Sequence, residues 1–398
     1  MRIIILHYHL NPGGVTRVIE SQIKSLSRLN PSTEILLLTG NDDTESRFAQ
    51  LPVNLVVNPL FNYLDTSKLS DEEFLQNQFN QIFSILKNTI NDYDLLHCHN
   101  LNLGKNPLLS LAVFKLAYQN HIRIVNHSHD FAEDRPANLE ILKTVIEEVF
   151  DLDLNQVLYP NLPNYFYITL NSFDYQRIAD AGIPEKNILL LHNPVELQDF
   201  SSKEKCRKSI AEKLSFDVEK VFISYPVRVI KRKNIGEFIL FAALFPKAIW
   251  TITLPPKNPN EITGYNNWKD FCASNFIDVI FESGLKANFQ DIICASDFCF
   301  STSIREGFGM VFIEPWFFET PVKGRNIGFI TSDLQKNGLQ FPLLYDSLWV
   351  IEDETKMDFK DLSVEVQQQF IVSLKNDEYR RKQVFELNPF LNNFFNPD

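Results

Sequence analysis

Short runs of apolar, β-forming residues alternate with longer amphipathic stretches along this chain, and the alternation occurs twice. In the first half, runs at 3–6, 34–39, 94–96, 122–125 and 165–170 are separated by helix-period stretches at about 15–29, 71–90, 107–119 and 138–150. Strands separated by helices have to cross over before they pair again, and that crossover makes the sheet parallel. After the apolar run 188–191 the chain breaks at His192-Asn193-Pro194-Val195 and enters a charged stretch with Lys203, Glu204, Lys205, Arg207 and Lys208, read here as a linker. The rhythm then resumes with runs at 221–225, 248–254, 279–281, 298–301 and near Pro321, and with helices at 235–244, about 289–295 and one opening near Phe308. A chain of 398 residues is long for one hydrophobic core. The expected fold is α/β with two Rossmann-like domains, 1–194 and 195–378, and a C-terminal segment of about 379–398 packing back on the first domain.

Charge and cysteine usage exclude several functions. A formal net charge of -12 disfavours a polyanion-binding face, so nucleic acid is not an expected partner. Peripheral membrane contact through a local basic patch remains compatible with it. The longest apolar stretch, 238–254, is interrupted by Pro246 and Lys247 and reads as a helix followed by a strand rather than a membrane span. The five cysteines show no CxxC pair and read as reduced, buried thiols. Residues 3–6 are too short for the core of a secretion signal, which gives a cytoplasmic expectation.

Six of the eight histidines form HxH pairs: His7 and His9, His97 and His99, His127 and His129. Each pair ends an apolar run or follows it closely, and His192 ends another. In a doubly wound sheet the strand exits form the rim where ligand binds. Residues i and i+2 share a strand face, so such a pair can offer two nitrogens to zinc. With no nearby Cys or Glu-His pattern, the histidines are read instead as polar lining of a cleft, and no metal is expected. The loop after His129 contains Asp130, Glu133, Asp134 and Arg135, groups suited to sugar hydroxyls or an acidic acceptor. The DxD-like pair Asp151 and Asp153 follows a helix, not a strand, and is read as surface charge.

Three segments suit a phosphate. Pro12-Gly13-Gly14-Val15 joins the first strand to the first helix, where glycines let backbone amides approach an anion. It lacks the GxGxxG pattern, and no acidic residue ends the second strand, which disfavours a nicotinamide dinucleotide. Arg228 follows the run 221–225, Lys233 comes just before the helix at 235, and Lys231 and Arg232 enlarge the positive cluster. Two fixed cations can neutralise a departing diphosphate without a metal. Arg305-Glu306-Gly307-Phe308-Gly309-Met310 follows the run 298–301 and, on this reading, opens a helix whose amide end is positive and whose interior carries Glu314. One bound molecule could then meet both carboxylates.

Together these segments resemble the retaining glycosyltransferases of family 4. The resemblance rests on Pro12-Gly13-Gly14-Val15, His129-Asp130, His192-Asn193-Pro194-Val195, Arg228 with Lys233, and Glu306 with Glu314 in an E-x7-E arrangement. It implies a GT-B architecture of two facing Rossmann-like domains with an interdomain cleft, and transfer of a hexose from a nucleotide diphosphate sugar to a hydroxyl acceptor. By position it implies that Arg228 and Lys233 hold the diphosphate, Glu306 the sugar and Glu314 the ribose. The amides of Gly307, Phe308 and Gly309 complete the donor site, Gly13 and Gly14 approach the phosphate or acceptor, and His129 contacts the sugar near the reacting carbon. Asp130 and Arg135 are candidate acceptor contacts. No cofactor or metal is implied; UDP-glucose is the first expectation for the donor and GDP-mannose the second. The chain departs from the family after Glu314, with Pro315, Trp316, Phe317 and Phe318, and beyond Val322, with Lys323, Gly324 and Arg325, positions expected to flank the donor. A phosphorylase or nucleotide-sugar epimerase would share these contacts, as would a non-catalytic binding subunit.

Overall fold

A computed structural model describes residues 2–42, 48–119, 122–195 and 201–395. The chain divides into two compact units, Met1–Glu196 and Leu197–Asp398, two residues from the expected boundary.

The first unit is built on seven parallel strands: β1 (Arg2–His7), β2 (Glu34–Thr39), β3 (Asn54–Val57), β4 (Leu95–His99), β5 (Arg123–Ser128), β6 (Tyr165–Thr169) and β7 (Ile188–Leu190). Their order in the sheet is β3-β2-β1-β4-β5-β6-β7. The order reverses direction between β1 and β4, so a crevice opens there at the carboxyl edge. Helices cover the faces for legible reasons. In Glu72–Thr89 the buried residues Leu75, Phe79, Ile82 and Leu86 recur at helical spacing, and Asp71 caps the first turn by accepting from the Phe74 amide at 2.9 Å.

The second unit repeats the plan with β8 (Phe222–Arg228), β9 (Ile249–Leu254), β10 (Val279–Phe281), β11 (Phe298–Ser301), β12 (Val322–Arg325) and β13 (Leu344–Tyr345). The order β10-β9-β8-β11-β12-β13 puts its switch point between β8 and β11. Residues 238–254 do divide as expected, into the fully buried helix Ile235–Leu244 and the strand β9. No helix among the described residues is long and apolar enough to cross a membrane.

Two segments lie elsewhere than expected. The segment from about Tyr379 was expected to pack back on the first domain, but it contributes Val384, Leu391 and Phe394 to the core of the second unit. Phe394 lies against Phe241, Phe245 and Phe300, and its carbonyl accepts from the Lys323 ammonium. Burial pushes Lys323 down to about 8. The charged stretch 203–208 is not a linker but part of the helix Lys203–Leu214, whose Cys206, Ile210 and Leu214 pack into a core with Ile292 and Phe222.

The unusual residues on β12 have a structural role. Arg325, 2% exposed, makes paired bonds to Glu237 (2.5 and 3.0 Å) and to Asp358 (2.7 and 2.8 Å). The Tyr345 hydroxyl donates to the same Glu237 carboxylate at 2.5 Å. Gly324, at φ +132°, sits so close to β11 that a Cβ would lie 2.0 Å from the Ser301 carbonyl oxygen. Replacing Arg325 by Leu would strand two buried carboxylates, a loss of about 3–5 kcal/mol. All four tryptophans lie in the second unit, so tryptophan fluorescence during urea unfolding should show the Arg325→Leu midpoint falling sharply.

Candidate active site

In the second unit, the strand exits on either side of the switch point are stitched together. Beyond β8 the chain makes a turn, Lys231–Lys233, and reverses at Asn234 with φ +49°. The Thr302 hydroxyl donates to the Lys233 and Asn234 carbonyls at 3.1 and 3.0 Å, and the Ile304 amide to the Arg232 carbonyl at 3.0 Å. Tyr225 on β8 bonds both loops, through the Lys233 carbonyl at 2.9 Å and the Ser303 hydroxyl at 2.7 Å.

This stitching brings Lys233 to Glu306. The Lys233 ammonium pairs with one oxygen of the Glu306 carboxylate, and Arg232 reaches the other at 3.3 Å while also donating to the Arg305 carbonyl at 3.0 Å. Glu306 is only 8% exposed. Burial alone would raise its pKa, but Lys233 and Arg232 outweigh burial and hold the carboxyl below its ordinary range. Two cations against one carboxylate leave the cluster net positive, which suits a diphosphate; the carboxylate itself suits hydroxyls.

The other sequence candidates fall differently. Arg228 does not join this cluster: its guanidinium donates to the Pro255 carbonyl at 3.0 Å. The segment after Gly309 does not open an α-helix. It forms two 3-10 turns, Met310–Phe312 and Glu314–Phe318. The reason is Pro315, which lacks an N–H and disfavours helical geometry at Glu314. The macrodipole expected at Gly307 to Gly309 is therefore absent, though Gly309 keeps the left-handed φ of +78°. Gly307 is half-buried, Phe308 buried, and Glu314 half-buried at the start of the second turn. Pro315 is buried and Phe318 fills the core beside Ile292, so these departures serve packing. Thr302 and Tyr225 were not singled out from sequence, whereas Arg232 was expected to enlarge the positive cluster.

In the first unit, Gly13 caps the helix Gly14–Leu29 in extended geometry. A Cβ at Gly14 would meet nothing within 4 Å. His129, 6% exposed, follows β5. Asn100, missed from sequence, accepts from the His129 and Asp130 amides at 2.7 and 3.1 Å. Asp130 pairs with Arg135 at 2.8 Å. The loop is not a loose turn: Asp134 is gripped by Arg177 (2.9 and 3.1 Å), and Glu133 accepts from the Tyr159 hydroxyl at 2.6 Å. Asp153 caps the helix Leu154–Leu158.

The histidines form a contiguous array. His99 Nδ1 is 3.0 Å from His129 Nε2, His97 Nε2 is 3.3 Å from His127 Nδ1, and His7 Nδ1 donates to the His99 carbonyl at 3.2 Å. Burial lowers His97 to about 4 and, with a smaller contribution from neighbouring imidazoles, His7 and His129 to about 3. All three are neutral at pH 7.

No family model matches the chain. A mannosylglucosyl-3-phosphoglycerate synthase of Petrotoga mobilis is 30% identical over 346 residues, which cover 82% of this chain and 65% of that protein. A mannosylglucosylglycerate synthase of Thermotoga maritima is 23% identical over 412 residues, covering 92% of this chain and 90% of the relative. Among solved structures, Anabaena HepE in complex with UDP-glucose superposes with a TM-score of 0.60 at 14% identity, covering 96% of this chain and 92% of that one. The chain has the GT-B fold. Within GT-B proteins generally the site chemistry varies, so the fold positions the loops and the residues above decide their use.

Replacing Lys233 by Met removes the nearer cation and raises the Glu306 pKa. A carboxylate with a depressed folded pKa stabilises above its unfolded value and stops doing so as pH falls through the folded one. Lys233→Met should therefore lose stability at pH 7, with the deficit narrowing below about pH 4, read from urea midpoints by tryptophan fluorescence.

Proposed function

We propose that this GT-B chain is a glycosyltransferase that moves a hexose from a nucleotide diphosphate sugar to a hydroxyl acceptor with retention of configuration. The observation that carries the reading is the buried, ionised Glu306 held by Lys233 and Arg232 at the switch point of the second sheet. On this reading Glu306 binds the transferred sugar. Lys233 and Arg228, joined by Arg232, neutralise the diphosphate, with Arg228 leaving the Pro255 carbonyl to do so. Glu314 takes the ribose, the Gly307, Phe308 and Gly309 amides complete the donor contacts, and Gly13, Gly14 and His129 serve phosphate and sugar.

The chemistry needs no protein nucleophile. The acceptor hydroxyl oxygen bonds to the anomeric carbon on the face that the diphosphate leaves, the bond to the leaving oxygen breaks, and a β-phosphate oxygen takes the hydroxyl proton. Charge building on the diphosphate is met by fixed cations rather than a bound ion. The relatives are a mannosylglucosyl-3-phosphoglycerate synthase and a mannosylglucosylglycerate synthase, names that join mannose to a glucosylated phosphoglycerate or glycerate. They favour a mannosyl donor such as GDP-mannose over the UDP-glucose expected from sequence, and an acidic glycerate-type acceptor that Arg135 would meet.

Incubating the protein with a panel of UDP and GDP sugars, with and without a glucosylated glycerate, tests this. Transfer should require the acceptor, persist in EDTA and release nucleoside diphosphate. Glu306→Gln and Arg228→Ala should each lower kcat/KM by about 100-fold with unchanged circular dichroism. Full activity in both variants, or turnover of the donor alone to an epimer, would exclude the assignment. Binding of the right donor should also raise the melting temperature, because ligand binds only the native state.

A further inference from the structure

We propose that the first unit carries a transition-metal site whose ligands are the imidazoles of His97, His99 and His127, and that it takes Zn(II) or an ion of similar softness. The strands build it. His97 and His99 project from the same face of β4, and His99 is register-paired with His127 on the adjoining strand β5. One nitrogen from each ring lies within 4.8 Å of the others. Cys98, between the two β4 histidines, is on the opposite face and is buried in the apolar core, so the donor set is all nitrogen. Neutral imidazoles of this kind suit zinc, copper and nickel over magnesium or calcium.

A second observation concerns the unused nitrogens. His99 Nδ1 is engaged with His129, and His127 Nδ1 with His97 Nε2 and with the Gln22 carboxamide at 3.2 Å. The remaining nitrogen of each ring, His99 Nε2 and His127 Nε2, is buried and has no hydrogen-bond partner among the described residues; His99 and His127 are each 1% exposed. Leaving a buried polar atom unpaired is costly. A metal ion removes that cost by taking the lone pairs. The arrangement also matches how metal-binding histidines are held, with one nitrogen on the ion and the other ring N–H bonded to a neighbour. His129 Nε2 can accept from His99 Nδ1. The Gln22 oxygen, also without a partner, accepts from His127 Nδ1 once its carboxamide turns over.

A zinc–nitrogen distance of about 2.0 Å places ligand nitrogens roughly 3.3 Å apart. The present spread of up to 4.8 Å between one nitrogen of each ring closes to this by ring rotation. Zinc was set aside from sequence for want of a nearby Cys or Glu-His pattern; the third ligand comes instead from a neighbouring strand. The inference does not rest on the transfer reading, whose proposed diphosphate cations lie in the second unit; His129, which that reading sets against the sugar, bonds ligand His99 without itself being a ligand.

The test uses the full chain, stripped with EDTA and dialysed, then titrated with Zn(II) against a chromophoric chelator. One equivalent should bind, and Co(II) in its place should give the visible absorption of a low-coordinate nitrogen site. X-ray absorption at the zinc edge of the wild-type protein should show imidazole nitrogens at about 2.0 Å. His97→Ala should weaken binding at least about 100-fold and, should that variant misfold, the wild-type spectrum still decides. No saturable binding, a first shell with sulfur or only oxygen, or full affinity in folded His97→Ala would each overturn the site.

Discussion

Parallel pairing fixes where everything else in this protein can happen. A strand that leaves one edge of the sheet returns to the opposite edge through a helix, so all carboxyl ends emerge together. The order of strands then opens a gap only where the winding reverses, between β1 and β4 in the first unit and between β8 and β11 in the second. His7 ends β1, His99 ends β4, Arg228 ends β8, and Ser301 leads from β11 into the Glu306 loop. The candidate polar groups collect at these two edges.

Buried charge is handled in two contrasting ways in the second unit. Around Arg325 every strong group is matched: two carboxylates take the guanidinium in paired bonds, and Tyr345 and Asn234 satisfy Glu237 further. Such a closed network fixes the seat of β12 and offers nothing to a ligand. Around Glu306 the matching is incomplete. Two cations face one carboxylate, and the Arg232 Nε is buried with no hydrogen-bond partner among the described residues. An excess of positive charge beside an ionised acid is poorly suited to architecture and well suited to a phosphorylated sugar.

The first unit shows a different economy. The imidazoles of His97 and His129 are neutral because burial opposes their protonation, and His129 bonds to His99. Asn100, in left-handed geometry at φ +65°, turns the chain after β4 and holds the amides that follow β5. Histidines from separate HxH pairs thereby become a single assembly.

Alternation of apolar runs and helical periods determined the two-unit α/β plan, because period and crossover are local properties of the chain. The same locality made Glu306 and the run 231–233 visible beside their strand ends. Tertiary structure alone decided who meets whom. That Lys233 rather than Arg228 grips Glu306 depends on hydrogen bonds between loops some seventy residues apart. That Pro315 stops a helix is local, but the capture of Phe394 by Lys323 and the aromatic core is not, and it sent the C-terminal segment into the second unit. Side-chain charges sum over neighbours in space, and sequence lists only neighbours along the chain.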